Sequence, residues 1–354
     1  MALELRNIVK RVGIETHIHD TSLVLEPGGF NILLGATNAG KTSLIKLMAG
    51  LDRPTEGAVL MNGQDVTDVS TQKRNISLVH QFFVNYPHMS VFENIASPLR
   101  VAGVPKSEIE GRVEAAADIL KLRPMLNRRP QELSGGQQQR TALARAIVKE
   151  SDLVLLDEPL ANLDYKLREE LRDQLPELFA GRGAVVVYAT SEPAEALMLS
   201  GRTALVHEGR VVQFGETAEV YRRPANLTAA EVFSDPPINS AEAVKAGGEI
   251  RLTGGPSWPA TGRAEALPDG PYTVALRPHH VAPQPTGADQ APVTGEVLVT
   301  ELSGSESVAH FEMAGGAWVS QAHGVHPYEV GERHEFHLDP AQCFYFGADG
   351  RLAA

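Results

Sequence analysis

The sequence predicts an α/β domain over roughly the first two-thirds of the chain and a small all-β domain over the rest. Three observations predict it. Short apolar runs at residues 30–34, 153–156 and 184–188 are β-branched or leucine-rich and lack polar alternation, the pattern of strands covered on both faces. Helical segments separate these runs. After Val232 the texture changes to Ser234-Asp235-Pro236-Pro237, then to short alternating stretches at 272–276, 295–300 and 307–313 divided by Gly and Pro. The expected domains are therefore 1–235 and 236–354.

In chain order, the strand at 30–34 feeds a glycine-rich turn and a helix at 41–49 that stops at Gly50, followed by the turn-rich 51–57. A longer helix is expected over 106–122, ending before Pro124. With 354 residues, 43% hydrophobic and 21% charged, the chain can bury sizeable cores, and its composition excludes long disorder or a collagen-like repeat. No apolar run approaches the roughly 20 residues that span a bilayer, and the first ten residues lack the apolar stretch of a signal peptide. Any membrane role is expected to come through partner chains. The single cysteine, Cys343, rules out an internal disulfide framework or a Cys-based zinc site and fits the cytoplasm. Lys plus Arg number 32 against 44 Asp plus Glu, without a basic run of five, which argues against nucleic acid or a polybasic anchor. A protein partner is expected instead.

Gly35-Ala36-Thr37-Asn38-Ala39-Gly40-Lys41-Thr42 fits G-x-x-x-x-G-K-[ST] and lies between a strand and a helix. Glycines let successive N–H groups face a phosphate, the helix N-terminus adds a favourable dipole, and Lys41 supplies charge for the β and γ phosphates. Gly35, Asn38, Ala39, Gly40, Lys41, Thr42 and Ser43 are thus candidate nucleotide-binding residues, with Thr42 a Mg²⁺ ligand. The bland alternative is a glycine-rich turn that caps a helix.

Some ninety residues later comes Leu133-Ser134-Gly135-Gly136-Gln137, then a helical run, then the strand 153–156 closing on Asp157-Glu158-Pro159. Ser134 and Gln137 have capping-box spacing, so a helix starting at Gly135 would offer free N–H groups to an anion. Asp157 ends an apolar strand where a carboxylate can reach Mg²⁺ through water, and Glu158 beside it can serve as a general base.

This order resembles the ABC ATPases: an LSGGQ signature, a Walker B strand, then the loop Leu160-Ala161-Asn162-Leu163-Asp164. The resemblance implies ATP and Mg²⁺ as ligands, a helical subdomain at about 86–150, and a head-to-tail dimer. In that dimer the signature residues Ser134, Gly135, Gly136 and Gln137 complete the partner's site, and Asp164 is a further nucleotide-binding candidate. Gln81 matches the glutamine that senses Mg²⁺ and the attacking water, and residues 82–91 (Phe-Phe-Val-Asn-Tyr-Pro-His-Met-Ser-Val) are similar to the stretch that receives a transmembrane subunit.

Two positions depart from the family. Ser191, in Tyr188-Ala189-Thr190-Ser191-Glu192-Pro193, stands where a switch histidine is expected, and it cannot carry charge as an imidazole does. Capping the next helix is its expected role. Val12 replaces the tyrosine that stacks on adenine. Both losses lie on the nucleotide-holding side, whereas the signature, Glu158 and Asp164 are intact. The expectation is a heterodimer with a second ATPase chain, in which the site on Lys41 is slow or binding-only and the site completed by Ser134 hydrolyses; a homodimer is the other arrangement.

The tail resembles the OB-like regulatory domain of the maltose-type sugar and glycerol-phosphate importer ATPases, through Leu276-Arg277-Pro278-His279-His280, Gly295-Glu296-Val297, Gly304-Ser305-Glu306 and the run from Phe344 to Gly350. Adjacent His279 and His280 without spaced carboxylates do not suggest a metal. The combination of Gly35 to Ser43 with Tyr188-Ala189-Thr190-Ser191-Glu192-Pro193 looks most like one ATPase of the paired-ATPase glycerol importers. That resemblance implies ATP hydrolysis driving import of a polyol or sugar-like solute, two permease subunits bound through 82–91, a periplasmic binding protein met indirectly, and a place on the cytoplasmic face of a bacterial inner membrane. The rival readings are an ATP-binding scaffold without catalysis and a soluble ABC ATPase unrelated to transport.

Overall fold

Runs of consecutive apolar residues can be buried only where both faces of a sheet are covered, and here they become the centre of a parallel sheet. The computed structural model describes residues 2–82, 84–161, 163–287 and 289–354. It divides into two compact units, Met1–Val220 and Tyr221–Ala354.

The first unit runs β1 (Leu3–Val12), β2 (Glu15–Leu25), β3 (Phe30–Leu34), α1 (Lys41–Ala49), β4 (Glu56–Met61), β5 (Gln64–Asp65), β6 (Ile76–Val79), α2 (Val91–Val101), α3 (Lys106–Ile119), α4 (Gly135–Val148), β7 (Leu153–Asp157), α5 (Tyr165–Phe179), β8 (Val185–Thr190), α6 (Pro193–Leu199), β9 (Arg202–His207) and β10 (Arg210–Glu216). One sheet has the order β10-β9-β3-β8-β7-β6 and is parallel except at β9–β10. Every residue of β3, β7 and β8 is buried. An antiparallel sheet, β2-β1-β4-β5, stands against it. Leu44, Ile45 and Met48 of α1 pack between Ile8 and Ile18 of one sheet and Leu33, Leu155 and Val187 of the other, which joins both into one core. Gly50 stops α1 as expected, with φ of 70° and its amide on the Leu47 and Lys46 carbonyls. In the chain, the helices α2–α4 lie between β6 and β7, which are neighbours in the sheet.

The chain enters the second unit within α7 (Thr217–Arg222) and continues through α8 (Leu227–Val232), β11 (Asn239–Ala246), β12 (Glu249–Leu252), β13 (Ser257–Pro259), β14 (Gly270–Leu276), β15 (Val281–Ala282), β16 (Ala291–Leu302), β17 (Glu306–Met313), β18 (Gly316–His323), β19 (Arg333–Leu338) and β20 (Phe344–Phe346). These strands form two antiparallel five-stranded sheets, β13-β12-β11-β14-β20 and β15-β19-β16-β17-β18. Trp258, Trp318, Phe311, Phe336 and Tyr345 fill the space between inward-facing positions, with Phe311 stacked on Phe336 at 4.0 Å. The α/β and all-β architectures are those predicted. The division falls upstream of the 235/236 change in texture because Ala230 of α8 packs with Ile238, Phe344 and Phe346. Among the described residues no helix is long and apolar enough to cross a membrane.

Candidate nucleotide site

Four neighbouring strands, in the order β3-β8-β7-β6, deliver their carboxyl ends to one edge of the parallel sheet, the edge where open α/β sheets bind ligands. The phosphate loop follows β3, Thr190 and Ser191 follow β8, Asp157 and Glu158 close β7, and Gln81 follows β6.

Local geometry explains the loop's residues. A Cβ at position 35 would overlap the Val206 carbonyl oxygen, so only glycine fits. Asn38 at φ 67° and Gly40 at φ 112° take left-handed backbone, and Gly40 is the N-cap of α1. Ala39 is buried, and Ser43 lies in the first turn of α1. Lys41, only 4% exposed, donates through Nζ to the Gly35 and Ala36 carbonyls at 2.7 and 3.0 Å. The same ammonium lies 3.3 Å from Glu158 Oε1. Gln81 Nε2 donates to Glu158 Oε2 at 3.1 Å, and Thr42 Oγ1 donates to Asp157 Oδ1 at 3.1 Å. Glu158 is itself in left-handed backbone, φ 47°, held by its amide on Ala189 O. Such strain in a non-glycine residue persists only where the surroundings over-determine it.

These residues fit MgATP. Asp157 is 1% exposed and its Oδ2 has no hydrogen-bond partner in the structure. Burial raises its pKa above the ordinary 3.8, an effect the Thr42 hydrogen bond only partly offsets. A dication held by Thr42, Asp157 and the Gln81 amide oxygen would satisfy that orphaned oxygen and supply the hard oxygen ligands that Mg²⁺ takes. Thr37, Asn38, Gly40, Lys41, Thr42, Ser43, Gln81 and Glu158 line one cleft of about 660 Å³.

The signature lies elsewhere in the same unit. Ser134 caps α4 in a capping box with Gln137: its Oγ accepts the Gln137 amide at 3.4 Å, and its own amide donates to Gln137 Oε1 at 3.0 Å. Both bonds are exposed, and a Cβ at Gly135 would meet nothing within 4 Å, so Gly135 opens the helix toward solvent. Asp164 caps α5 through the Leu167 amide. None of these residues lines the cleft around Lys41. Within one chain, signature and phosphate loop remain apart.

Two sequence expectations need correction. Ser191 does not cap the next helix: Pro193 is the first residue of α6, Glu192 occupies the cap position, and the Thr190 hydroxyl accepts the Glu192 amide at 3.0 Å. Ser191 is exposed. Val12, half exposed at the tip of the β1–β2 hairpin, is not among the described residues lining the cleft. Asn162 and Phe83 lie outside the described residues. Around them, Phe82 and Val84 are exposed, Arg145 sits 4.4 Å over the Tyr86 ring and donates to Val84 O, and the Asn94 side chain ties down Tyr86, Met89 and Ser90.

Sequence reasoning missed other residues here. Thr16, His17 and His19 of β2, with Glu208 and Arg210, line the same cleft. Arg168 donates to Glu192 Oε1 at 2.8 Å and to Ala161 O at 3.2 Å, linking the loops after β8 and β7. Glu195 is buried under the switch turn, accepting from Tyr188 Oη at 2.9 Å and Thr190 Oγ1 at 2.6 Å. The alternation of His17 and His19 about buried Ile18 was a readable signal, whereas the other contacts depend on tertiary placement.

Comparison with known proteins agrees with this geometry. A family model described as ABC transporter matches residues 18–161, and one described as TOBE domain matches 274–346. The chain is 38% identical over 314 residues to the sn-glycerol-3-phosphate import ATP-binding protein UgpC of Ruegeria pomeroyi, covering 89% of this chain and 87% of the relative. With the protein of that name from Yersinia pestis it is 35% identical over 353 residues, covering 99% and 98%. Among solved structures, the dimeric post-hydrolysis state of the ATP-binding cassette MJ0796 bound to ADP and Pi aligns with a TM-score of 0.57 at 27% identity, covering 61% of this chain and 98% of that one. An ATP-binding subunit of an ABC transporter aligns at 0.58 and 25% identity, covering 63% and 92%.

Proposed function

We propose that this chain, which belongs to the ATP-binding subunits of ABC importers of the sugar and polyol branch, drives uptake of a glycerol-class solute. It is an ATPase, with MgATP its nucleotide. The observation that carries the reading is the corner where Lys41, Thr42, Gln81, Asp157 and Glu158 meet within hydrogen-bonding distance at the ends of adjacent strands. In this reading the loop amides and Lys41 hold the phosphates, and Glu158 takes the proton of the attacking water. Gln81 fixes the Glu158 carboxylate, while Thr42 and Asp157 hold Mg²⁺. Bound Mg²⁺ neutralises phosphate charge. Glu158→Gln should lower turnover at least about 100-fold and leave MgATP binding intact; retained turnover overturns the role.

Glycerol or its phosphate is the proposed cargo because the full-length relatives carry sn-glycerol-3-phosphate import in their names. Permease subunits dock on residues 82–91 at the cytoplasmic face of the inner membrane, and a periplasmic binding protein delivers solute to them. The exposed Phe82 and Val84 on a loop pinned by Arg145 and Asn94 support that docking surface. Proteoliposomes of the co-purified assembly, given labelled glycerol and sn-glycerol 3-phosphate, test the cargo; uptake of neither sinks it.

The exposed serine at 191 supports an unequal pair with a second ATPase chain. In that pair Ser134 of this chain completes the faster site. Removing the partner's general base should then cost more turnover than Glu158→Gln, and equal losses point to a homodimer. Ser191 also favours a second reading, a scaffold that binds ATP without hydrolysis. Ser191→His in the assembled complex separates the two: turnover that appears only with histidine supports the scaffold.

A further inference from the structure

Phosphates seated on residues 38–43 leave the rest of a nucleotide to lie along the remaining wall of the cleft. Its lining there comes from Thr16, His17 and His19 of β2 and from Glu208 and Arg210. Ile18 is fully buried against Gly40, and His17 and His19 on either side of it both line the cleft. Their backbone is locked to the phosphate loop. The His19 amide donates to Gly209 O at 2.9 Å, and the Gly209 amide donates to Ala39 O at 2.8 Å. Gly209 has φ 70°, and a Cβ on it would overlap the His17 carbonyl oxygen, so the three segments approach as closely as backbone allows.

From this we infer that the imidazoles of His17 and His19 form the contact surface for the nucleoside end of ATP, in place of an aromatic residue at the hairpin tip where Val12 stands. The inference rests on the phosphate assignment to Lys41 and Thr42. An imidazole offers a flat aromatic face to a base and a ring nitrogen to a ribose hydroxyl. Valine offers neither. Both rings hang from a strand bonded through Gly209 to the phosphate loop, so the distance from phosphate to ring is set by backbone.

Equilibrium titration of the purified full chain with MgATP and, separately, with inorganic tripolyphosphate separates the nucleoside contact from the phosphate contact. His17→Ala/His19→Ala together should weaken MgATP binding about tenfold or more and leave tripolyphosphate binding unchanged, which also shows that the variant is folded. His17→Phe/His19→Phe should restore most of the MgATP affinity. Equal weakening toward both ligands means that the histidines serve the phosphates and overturns the proposal, as does unchanged MgATP affinity. Should tripolyphosphate fail to bind the parent chain, or bind equally to Lys41→Ala, the phosphate assignment itself fails, a result distinct from either histidine outcome.

Discussion

Glycines of the two motifs look alike in sequence, yet the structure gives them opposite constraints. Gly35 has no room for a Cβ against Val206 O, while Gly135 faces open space in the first turn of α4. Gly35→Ala should therefore destabilise the chain by about 3 kcal/mol, the upper range for overpacking a tight site. Gly135→Ala should leave thermal stability unchanged or slightly raised by helix propensity, while turnover of the assembled transporter falls. Equal melting temperatures for the two variants would refute the distinction. Residue-scale geometry was legible wherever a motif encodes it, as with the helix that opens at Lys41 and the Ser134–Gln137 capping box. It was not legible at Ser191. Serine is a good N-cap by type, but Pro193 fixes the first helical residue and moves the cap to Glu192.

At the scale of elements, the turn between β8 and α6 rests on a buried carboxyl group. Burial raises the Glu195 pKa above its ordinary 4.5, although Thr190 and Tyr188 both donate to it. A carboxyl with a raised folded pKa binds its proton more tightly when folded, so stability declines as pH rises from 4.5 through the raised value. Glu195→Gln keeps an acceptor oxygen for both hydroxyls and removes that decline. Its stability relative to the parent should accordingly improve across this window and level off above it. Urea titrations at a series of pH values read this directly, and a difference constant with pH would contradict it. Glu195→Ala should cost about 3 kcal/mol below pH 4.5, because two buried hydroxyls lose their acceptor, and less as pH rises through this window. The sequence showed the strand and the helix but not this link. A buried glutamate and an exposed one have the same spacing on a short helix, and Arg168 finds Ala161 and Glu192 only once β7 and β8 are neighbours.

For the molecule as a whole, the change of texture after Val232 marked where strands begin, and contacts in fact change earlier, because α8 packs into the second unit. That unit contains both tryptophans of the chain, Trp258 and Trp318, each nearly fully buried. Tryptophan fluorescence therefore follows unfolding of residues 221–354 within the intact protein. In this unit burial lowers the His280 pKa from 6.5 to about 4, reinforced by the positive charges of His279 when protonated and Arg277. A histidine with a depressed folded pKa binds protons more readily when unfolded, so its contribution to stability is present above 6.5 and is lost as pH falls toward 4. The partly exposed ring is screened by solvent, which reduces the effect to on the order of 1 kcal/mol, or about 4 °C in the midpoint. Between pH 7 and pH 5 the tryptophan-monitored midpoint should fall by about that much more in the parent than in His280→Gln. Parallel pH profiles for the two proteins would show that His280 does not set the acid sensitivity of this unit.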